Sequence, residues 1–400
     1  MPTADKGILF VGQDANNPGG IIPPFFDSSD NGNVMIGKID SNHLISWIKV
    51  YGGSQADGAT SACQTPDGGY AILGNTSSSD GDVTGFRGAT DIWLVRIDSG
   101  GNLLWENTYG SSQSDGGLSI ANTPDHGFII LGSTNGSDDE VPFHYGSFFT
   151  EDWLVIKTDS MGNFQWSKDL GGTEEEGETG SILAIDSSYY LVSCSNSHDH
   201  DCTDTAWHSG VTFPYSNYYV LKLDDTGKVL WDSSYGGSGD DEAYYAMFDS
   251  RDSSIVVTGN TSSYDYMVTG YHGGQDMWVI KVNKKGMLIW EKALGGPQQE
   301  NGTAVCAMYN EGYMAYGSTY PGPIGGLDCW LFALDNSGNE ISNLIFGGTG
   351  PEDPATIVPY LNGYVATGTS GSRVFIEGSC DTNYSGAIFL LRPSQRLFPD

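Results

Sequence analysis

The chain is short of basic residues. Its 400 residues hold 17 Lys and Arg against 50 Asp and Glu, a formal net charge of −33. Binding to nucleic acid or to anionic lipid needs Lys and Arg contacts, so the charge balance argues against both as partners. Charged residues of either sign reach only 17%, below the usual quarter. No apolar run approaches the ~20 residues of a membrane helix, which argues against membrane insertion. The start, MPTADKGILFVG, has neither the basic segment nor the long apolar stretch of a signal peptide. That points to a cytosolic protein or to a mature fragment.

Catalytic and metal signatures are also scarce. The six cysteines form no C-x-x-C pair, which argues against a zinc finger or thioredoxin site. Cys194 and Cys202 bracket one loop and are candidates for a local disulfide. There is no G-x-S-x-G elbow, no H-E-x-x-H, no P-loop and no sialidase-type Asp-box. No catalytic residue is assigned on sequence grounds.

What the chain does have is a repeat. Nine of the ten tryptophans fall on a grid. Trp47, Trp105, Trp166, Trp231 and Trp290 each stand five residues before a glycine, namely Gly52, Gly110, Gly171, Gly236 and Gly295. Trp93, Trp153, Trp278 and Trp330 open a second kind of strand, and Trp207 lies off the grid. Self-similarity at this spacing, built from short strands, signals a propeller or solenoid. One unit reads as strand c (GLSIANT), a Pro-Asp-His-Gly turn, strand d (FIILGST), a long polar loop, strand a (DWLVIKTD), a tight turn and strand b (FQWSKDLGG). β-Branched and aromatic runs punctuated by Gly, Pro, Asn and Asp are the mark of antiparallel meanders. The unbroken apolar character of strand a implies a sheet covered on both faces.

Strand a recurs seven times, at Val34–Asp40, Ile92–Asp98, Trp153–Asp159, Tyr218–Asp224, Met277–Asn283, Cys329–Asp335 and Ala387–Arg392. The expectation is an all-β fold: a single seven-bladed β-propeller over residues 1–400, with four-stranded antiparallel blades and a period of about 52–65 residues. The first blade lacks strand c, and the last has little left for strand b. Trp290, in an outer strand, is expected to be a buried core aromatic.

The string YGG…T-P-D-G-G-Y…G-x-T-S-S-x-D…D-x-W-L-V…G-N…W resembles the bacterial SBBP-type β-propeller repeat. It is also similar to repeats of secreted Bacteroidetes surface proteins. The resemblance covers nearly the whole chain, with its best copies at 51–110 and 236–295. It implies a propeller, a Gram-negative bacterial origin and a place at the cell surface or beyond, and it implies no defined chemistry.

Four constellations stand out. An acid follows each glycine turn by five residues: Asp57, Asp115, Glu176, Asp241, Glu300 and Glu352. Read as function, these form a carboxylate ring for Ca²⁺. Read as structure, each accepts backbone N–H bonds and pins neighbouring blades, a reading favoured by the recurrence itself. Second, the d–a loops carry an aromatic followed by His or Arg: Phe86-Arg87, Phe143-His144 (then Tyr145), Trp207-His208 and Tyr271-His272. They are candidates for ligand recognition, or for shaping the loop against Asp91 and Asp276. Third, Asp80-Gly81-Asp82 with Asp91 resembles half a calcium loop, making Ca²⁺ the one cofactor to consider. Fourth, the loop 193–210 holds His198 and His200 among acids, candidates for a transition metal.

The expected function is an extracellular or cell-surface recognition scaffold that binds a glycan or a protein partner through the loops of one face. The first alternative is a carbohydrate-active lyase or hydrolase, and the second is a structural subunit of a surface fibre. Oligomeric state is open.

Overall fold

The computed structural model describes residues 1–14, 32–147, 150–177, 179–203, 215–309, 311–361, 363–370 and 387–391. Trp207 and His208 lie outside the described residues. Every regular element among them is a β-strand, and these strands form seven sheets. Each sheet is an antiparallel meander in chain order, which is how the blades of a β-propeller are built.

Blade 1 holds Ile8–Asp14, Asn33–Ile39 and Ile45–Tyr51. These are its strands d, a and b; of strand c only a stub is present, where Pro2 bridges Ile8. Blade 2 runs Asp57–Gln64, Tyr70–Thr76, Asp91–Ile97 and Leu103–Tyr109. Blade 3 runs Asp115–Asn122, Phe128–Thr134, Asp152–Thr158 and Phe164–Leu170. Blade 4 is Ser181–Ile185, Ser188–Ser195, Asn217–Asp224 and Val229–Tyr235. Blade 5 is Asp241–Asp249, Ser254–Thr261, Asp276–Asn283 and Leu288–Leu294. Blade 6 is Gln299–Ala307, Tyr313–Tyr320, Asp328–Leu334 and Glu340–Phe346. Among the described residues blade 7 shows three strands, Glu352–Tyr360, Gly363–Ser370 and Ala387–Leu391. The strand-a register matches the sequence expectation to within two residues at each end.

The chain divides into two compact units. The first comprises 1–191, 197–203 and 221–230; the second comprises 192–196, 204–220 and 231–400. Blades 1 to 3 belong to the first and blades 5 to 7 to the second, while the residues of blade 4 are shared out between them.

Burial is graded across each blade. Strand a of blades 2 and 3 is buried at every position, whereas strand b is exposed at its start. Trp93, Trp153 and Trp278 are fully buried, each stabilising its blade by roughly 3 kcal/mol. Trp290 departs from expectation, and the other strand-b tryptophans behave as it does. Trp47, Trp105, Trp166 and Trp290 are half-buried, because each lies on the a–b turn of the following blade. At Gly162, with φ of 77°, an added Cβ would meet the Trp105 ring at 2.6 Å. Glycine is required there by backbone and by packing alike. The Trp290 indole N–H also donates to Asn336 O at 3.0 Å.

The T-P-D-G turns are built by their own side chains. Thr65 Oγ1 and Gly69 N–H both donate to Asp67 Oδ1, and Arg96 from strand a reaches the same carboxylate. Lys157 and Asp125 repeat this pairing in blade 3, and Lys281 and Asp252 in blade 5.

Candidate functional site

At the ends of four blades two acids 24 residues apart are brought together. The first opens strand a and the second opens the next blade's strand c: Asp91 with Asp115, Asp152 with Glu176, Asp276 with Glu300, and Asp328 with Glu352. Asn33 and Asn217 replace the first acid opposite Asp57 and Asp241. A backbone bond accompanies each pair, as from Asp115 N–H to Thr90 O (2.8 Å) and from Glu300 N–H to Gln275 O. The second acids are buried and occupied. Asp57 Oδ2 accepts from Gly53 N–H and Ser78 Oγ at 2.8 and 2.9 Å. Asp241 accepts from Gly237 N–H at 2.8 Å, from Ser263 and from Thr261. Glu300 accepts from Gly296 N–H and Thr319 Oγ1, both at 2.9 Å. Burial raises the carboxyls of Asp57, Asp115 and Glu300, and brings Asp241 to about 7. These six acids pin neighbouring blades, as the structural reading of the sequence has it.

The aromatic-cation pairs of the loops are engaged in the same region. Arg87 N–H and Gly88 N–H bind the Asp91 carboxylate, while the Arg87 guanidinium reaches Thr108 O and Glu140. Phe86 packs against the core of its blade. His272 gives Asp276 Oδ2 both its N–H (2.8 Å) and its ring Nδ1 (2.9 Å). The Tyr271 hydroxyl donates to Gly274 O at 2.6 Å.

The half calcium loop also has structural duties. Asp80 Oδ1 accepts from Ser54 N–H at 2.8 Å, and Asp82 from Gly52 N–H at 3.2 Å. Asp138, Asp199 and Asp265 cap Ser112, Thr173 and Ser238 in the same way. Neither Cys194 nor Cys202 forms a disulfide. The Cys202 thiol instead turns toward Glu176 Oε1, at 3.8 Å.

Blade 3 departs from this pattern. Its d–a loop is longer, so that His144 precedes Asp152 by eight residues where His272 precedes Asp276 by four. Tyr145 N–H donates to Asp152 Oδ2 at 2.6 Å, and His144 Nδ1 lies 3.0 Å from the same oxygen. The His144 side chain is 9% exposed. Its Nε2 contacts Ser147 O at 3.1 Å.

Asp169, on strand b, faces this pair. The equivalent positions are Val50, Thr108, Ser234, Ala293 and Ile345, none of them charged. Asp169 is 1% exposed, and neither of its oxygens meets a hydrogen-bond donor; Asp152 Oδ1 meets none either. Burial and the Asp152 charge push Asp169 far above the usual carboxylate range, and burial raises Asp152 as well. Glu176 and Asp152 both close on Gly171, where an added Cβ would lie 2.5 Å from Glu176 Oε2 and 3.0 Å from Asp152 Oδ1. Among the described residues, His144, Asp152 and Asp169 are the group that brings three ligand atoms within 4.8 Å of one another. Sequence reading picked out His144 alone. The available signal was one acid at a register position that is uncharged in every other repeat.

Above this cluster three rings form a ladder. Phe143 meets Tyr145 edge-on, with centroids 4.8 Å apart, and Tyr145 stacks on His200 at 4.2 Å and 23°. Phe143 is 42% exposed. His198 is half-buried in the same loop as His200.

No family model matches the chain. Among curated proteins, the Regulatory protein FlaEY of Caulobacter vibrioides is 27% identical over 203 residues, 48% of this chain. The chain matches only 20% of that protein's length. The periplasmic gluconolactonase PpgL of Pseudomonas aeruginosa superposes over 96% of this chain and 99% of its own. Its TM-score is 0.53 and its identity 10%, a likeness of fold. Sqt1 from Chaetomium thermophilum is also similar, over 91% of this chain and 76% of its own, with a TM-score of 0.45 and 11% identity. The chain is thus a β-propeller.

Proposed function

We propose that the chain is a non-enzymatic recognition propeller, binding a glycan or a protein partner through the loops at 135–151 and 196–203. The observation that carries this reading is the ladder of Phe143, Tyr145 and His200 on two loops of a rigid scaffold. Part-exposed aromatic rings held in place by edge-on and stacked contacts offer apolar surface at low ordering cost, which suits sugar rings and partner side chains. The groups a lyase would need are engaged elsewhere: Arg87 with Glu140, and His272 with Asp276. That favours binding over turnover. The net charge of −33 favours neutral glycans or basic partners. The resemblance to SBBP-type repeats supports an extracellular or bacterial cell-surface location.

The test is retention on a broad glycan array, run with Ca²⁺ and with EDTA, for the wild type and for Phe143→Ala. Specific retention that falls at least tenfold in Phe143→Ala, with an unchanged melting temperature, supports the reading. Retention indifferent to Phe143 would move recognition to another face. An absence of retention shifts the reading to a protein ligand or a fibre subunit.

A further inference from the structure

We propose that His144, Asp152 and Asp169 form a site for a divalent transition-metal cation, with Zn²⁺ as the probe. The argument is one of unmatched lone pairs. Asp169 presents two buried oxygens with no donor; Asp152 Oδ1 has none either, as is also true of Asp276 Oδ1 and Asp328 Oδ1 in other blades, so Asp169 is what sets this blade apart. Ionising a buried carboxyl group that has no donor or counter-charge costs several kcal/mol, so a bound cation would displace its proton. In the pinning pairs of other blades the second acid is matched by backbone N–H and hydroxyl donors, as at Asp57 and Asp241. Asp169 belongs to neither member of such a pair.

The imidazole is turned to complete the set. Its Nε2 is placed to donate to the Ser147 carbonyl at 3.1 Å, which leaves Nδ1 with a lone pair in the neutral tautomer. Nδ1 stands 3.0 Å from Asp152 Oδ2 yet makes no hydrogen bond. Two acceptors in contact need a proton or a metal cation between them, and a metal also draws in Asp169, whose ligand atom lies within 4.8 Å of both. A backbone carbonyl holding the far ring nitrogen is the usual second partner of a metal-bound histidine. Zinc bonds of about 2.0–2.2 Å in a tetrahedron place neighbouring ligand atoms about 3.3 Å apart; His144 Nδ1 and Asp152 Oδ2 are 3.0 Å apart, and all three ligand atoms lie within 4.8 Å of one another.

The donor set selects the metal. One imidazole with carboxylates suits Zn²⁺ and its first-row neighbours, whereas Ca²⁺ takes six to eight oxygens. Glu176 stands next to Asp152 across Gly171, placed to serve as a fourth ligand or to orient a bound water. Tyr145 ties the site to the ladder, because its N–H donates to Asp152. The cation site is independent of what the ladder binds.

Isothermal titration of EDTA-treated protein with ZnCl₂ tests this without any ligand. The expected result is one equivalent per chain, weakened at least about 100-fold in Asp169→Ala and in Asp169→Asn, and unchanged in His272→Ala. CaCl₂ gives no comparable saturation. Asp169→Ala removes a buried unmatched carboxylate and is expected to melt no lower than the metal-free wild type, so its loss of binding is not a loss of fold. No saturable Zn²⁺ binding in the wild type overturns the proposal. So does binding that survives Asp169→Ala but is lost in His200→Ala, since that places the metal in the 196–203 loop.

Discussion

Blades 3 and 5 are built to one plan and differ at their histidine–aspartate contact in loop length and in one added acid. Each buries a strand-a tryptophan completely, Trp153 and Trp278. Each sets a histidine 2.9–3.0 Å from the aspartate that opens strand a. Each places a glutamate 24 residues further on, Glu176 and Glu300. In blade 5 the strand-b residue facing the pair is Ala293, and His272 remains 46% exposed. In blade 3 that residue is Asp169, and His144 is nearly buried. The repeat therefore supplies a structural His–Asp contact, and a single acid turns one copy of it into a cage of acceptors. Function in a repeat protein is best sought where one copy breaks the rule that the others keep.

The largest effect should be common to both blades. Trp153→Ala and Trp278→Ala are each expected to destabilise by about 3–5 kcal/mol, read by chemical denaturation. Trp290→Ala, which empties a half-buried seam, should cost less than either. A cost below about 1 kcal/mol for Trp153→Ala would mean that blade 3 is not held by the same scaffold.

The next prediction moves the difference from one blade to the other. Ala293→Asp puts a carboxylate at a buried position of blade 5, and should destabilise the metal-free protein by about 2–4 kcal/mol. Zn²⁺ should recover part of that loss by thermal shift, because His272 and Asp276 are already in place. A neutral Ala293→Asp would show that this register position tolerates charge without a cation, and would remove the significance of Asp169.

Breaking the shared pin comes third. Glu300→Gln trades two charge-assisted bonds, from Gly296 N–H and Thr319, for weaker neutral ones. A cost of about 1–3 kcal/mol is expected.

The smallest effect lies at the c–d turns. Bonds from Arg251 and Tyr313 overcome burial at Asp249 and hold it at about 2, and Thr123 and Lys157 do the same for Asp125. A carboxyl held below its unfolded value stabilises the fold above pH ~4, and that contribution is lost as pH falls toward 2. Asp249→Asn should flatten the acid limb of the stability curve. Asp125→Asn should flatten it less, because Asp125 is 53% exposed and its ion pair is screened by solvent.

Much of the fold was legible because the repeat writes it several times over. Tryptophan spacing and the seven apolar strand-a segments placed the blades, and alignment of TADKGILFVG with TPDGGYAILG identified Ile8–Asp14 as strand d of blade 1. The same logic misread Trp290: regular spacing says that a residue packs, but not that it packs at a half-open seam. The candidate site was the least legible part. A search for shared residues finds Arg87, His144 and His272 as a set and passes over Asp169, which has no counterpart. Nor does spacing reveal that a His-to-Asp segment four residues longer than that of blade 5 still brings His144 back onto Asp152. That return depends on the Tyr145–Asp152 bond, which is a property of the folded chain.

The most direct test of the account is an anomalous-scattering map, recorded at the zinc edge from crystals of the wild-type protein grown with Zn²⁺. The account predicts a peak bonded by His144 Nδ1, Asp152 and Asp169, and none between His272 and Asp276. A peak at His272–Asp276, or an empty blade 3 beside a fully ordered His144, would contradict it.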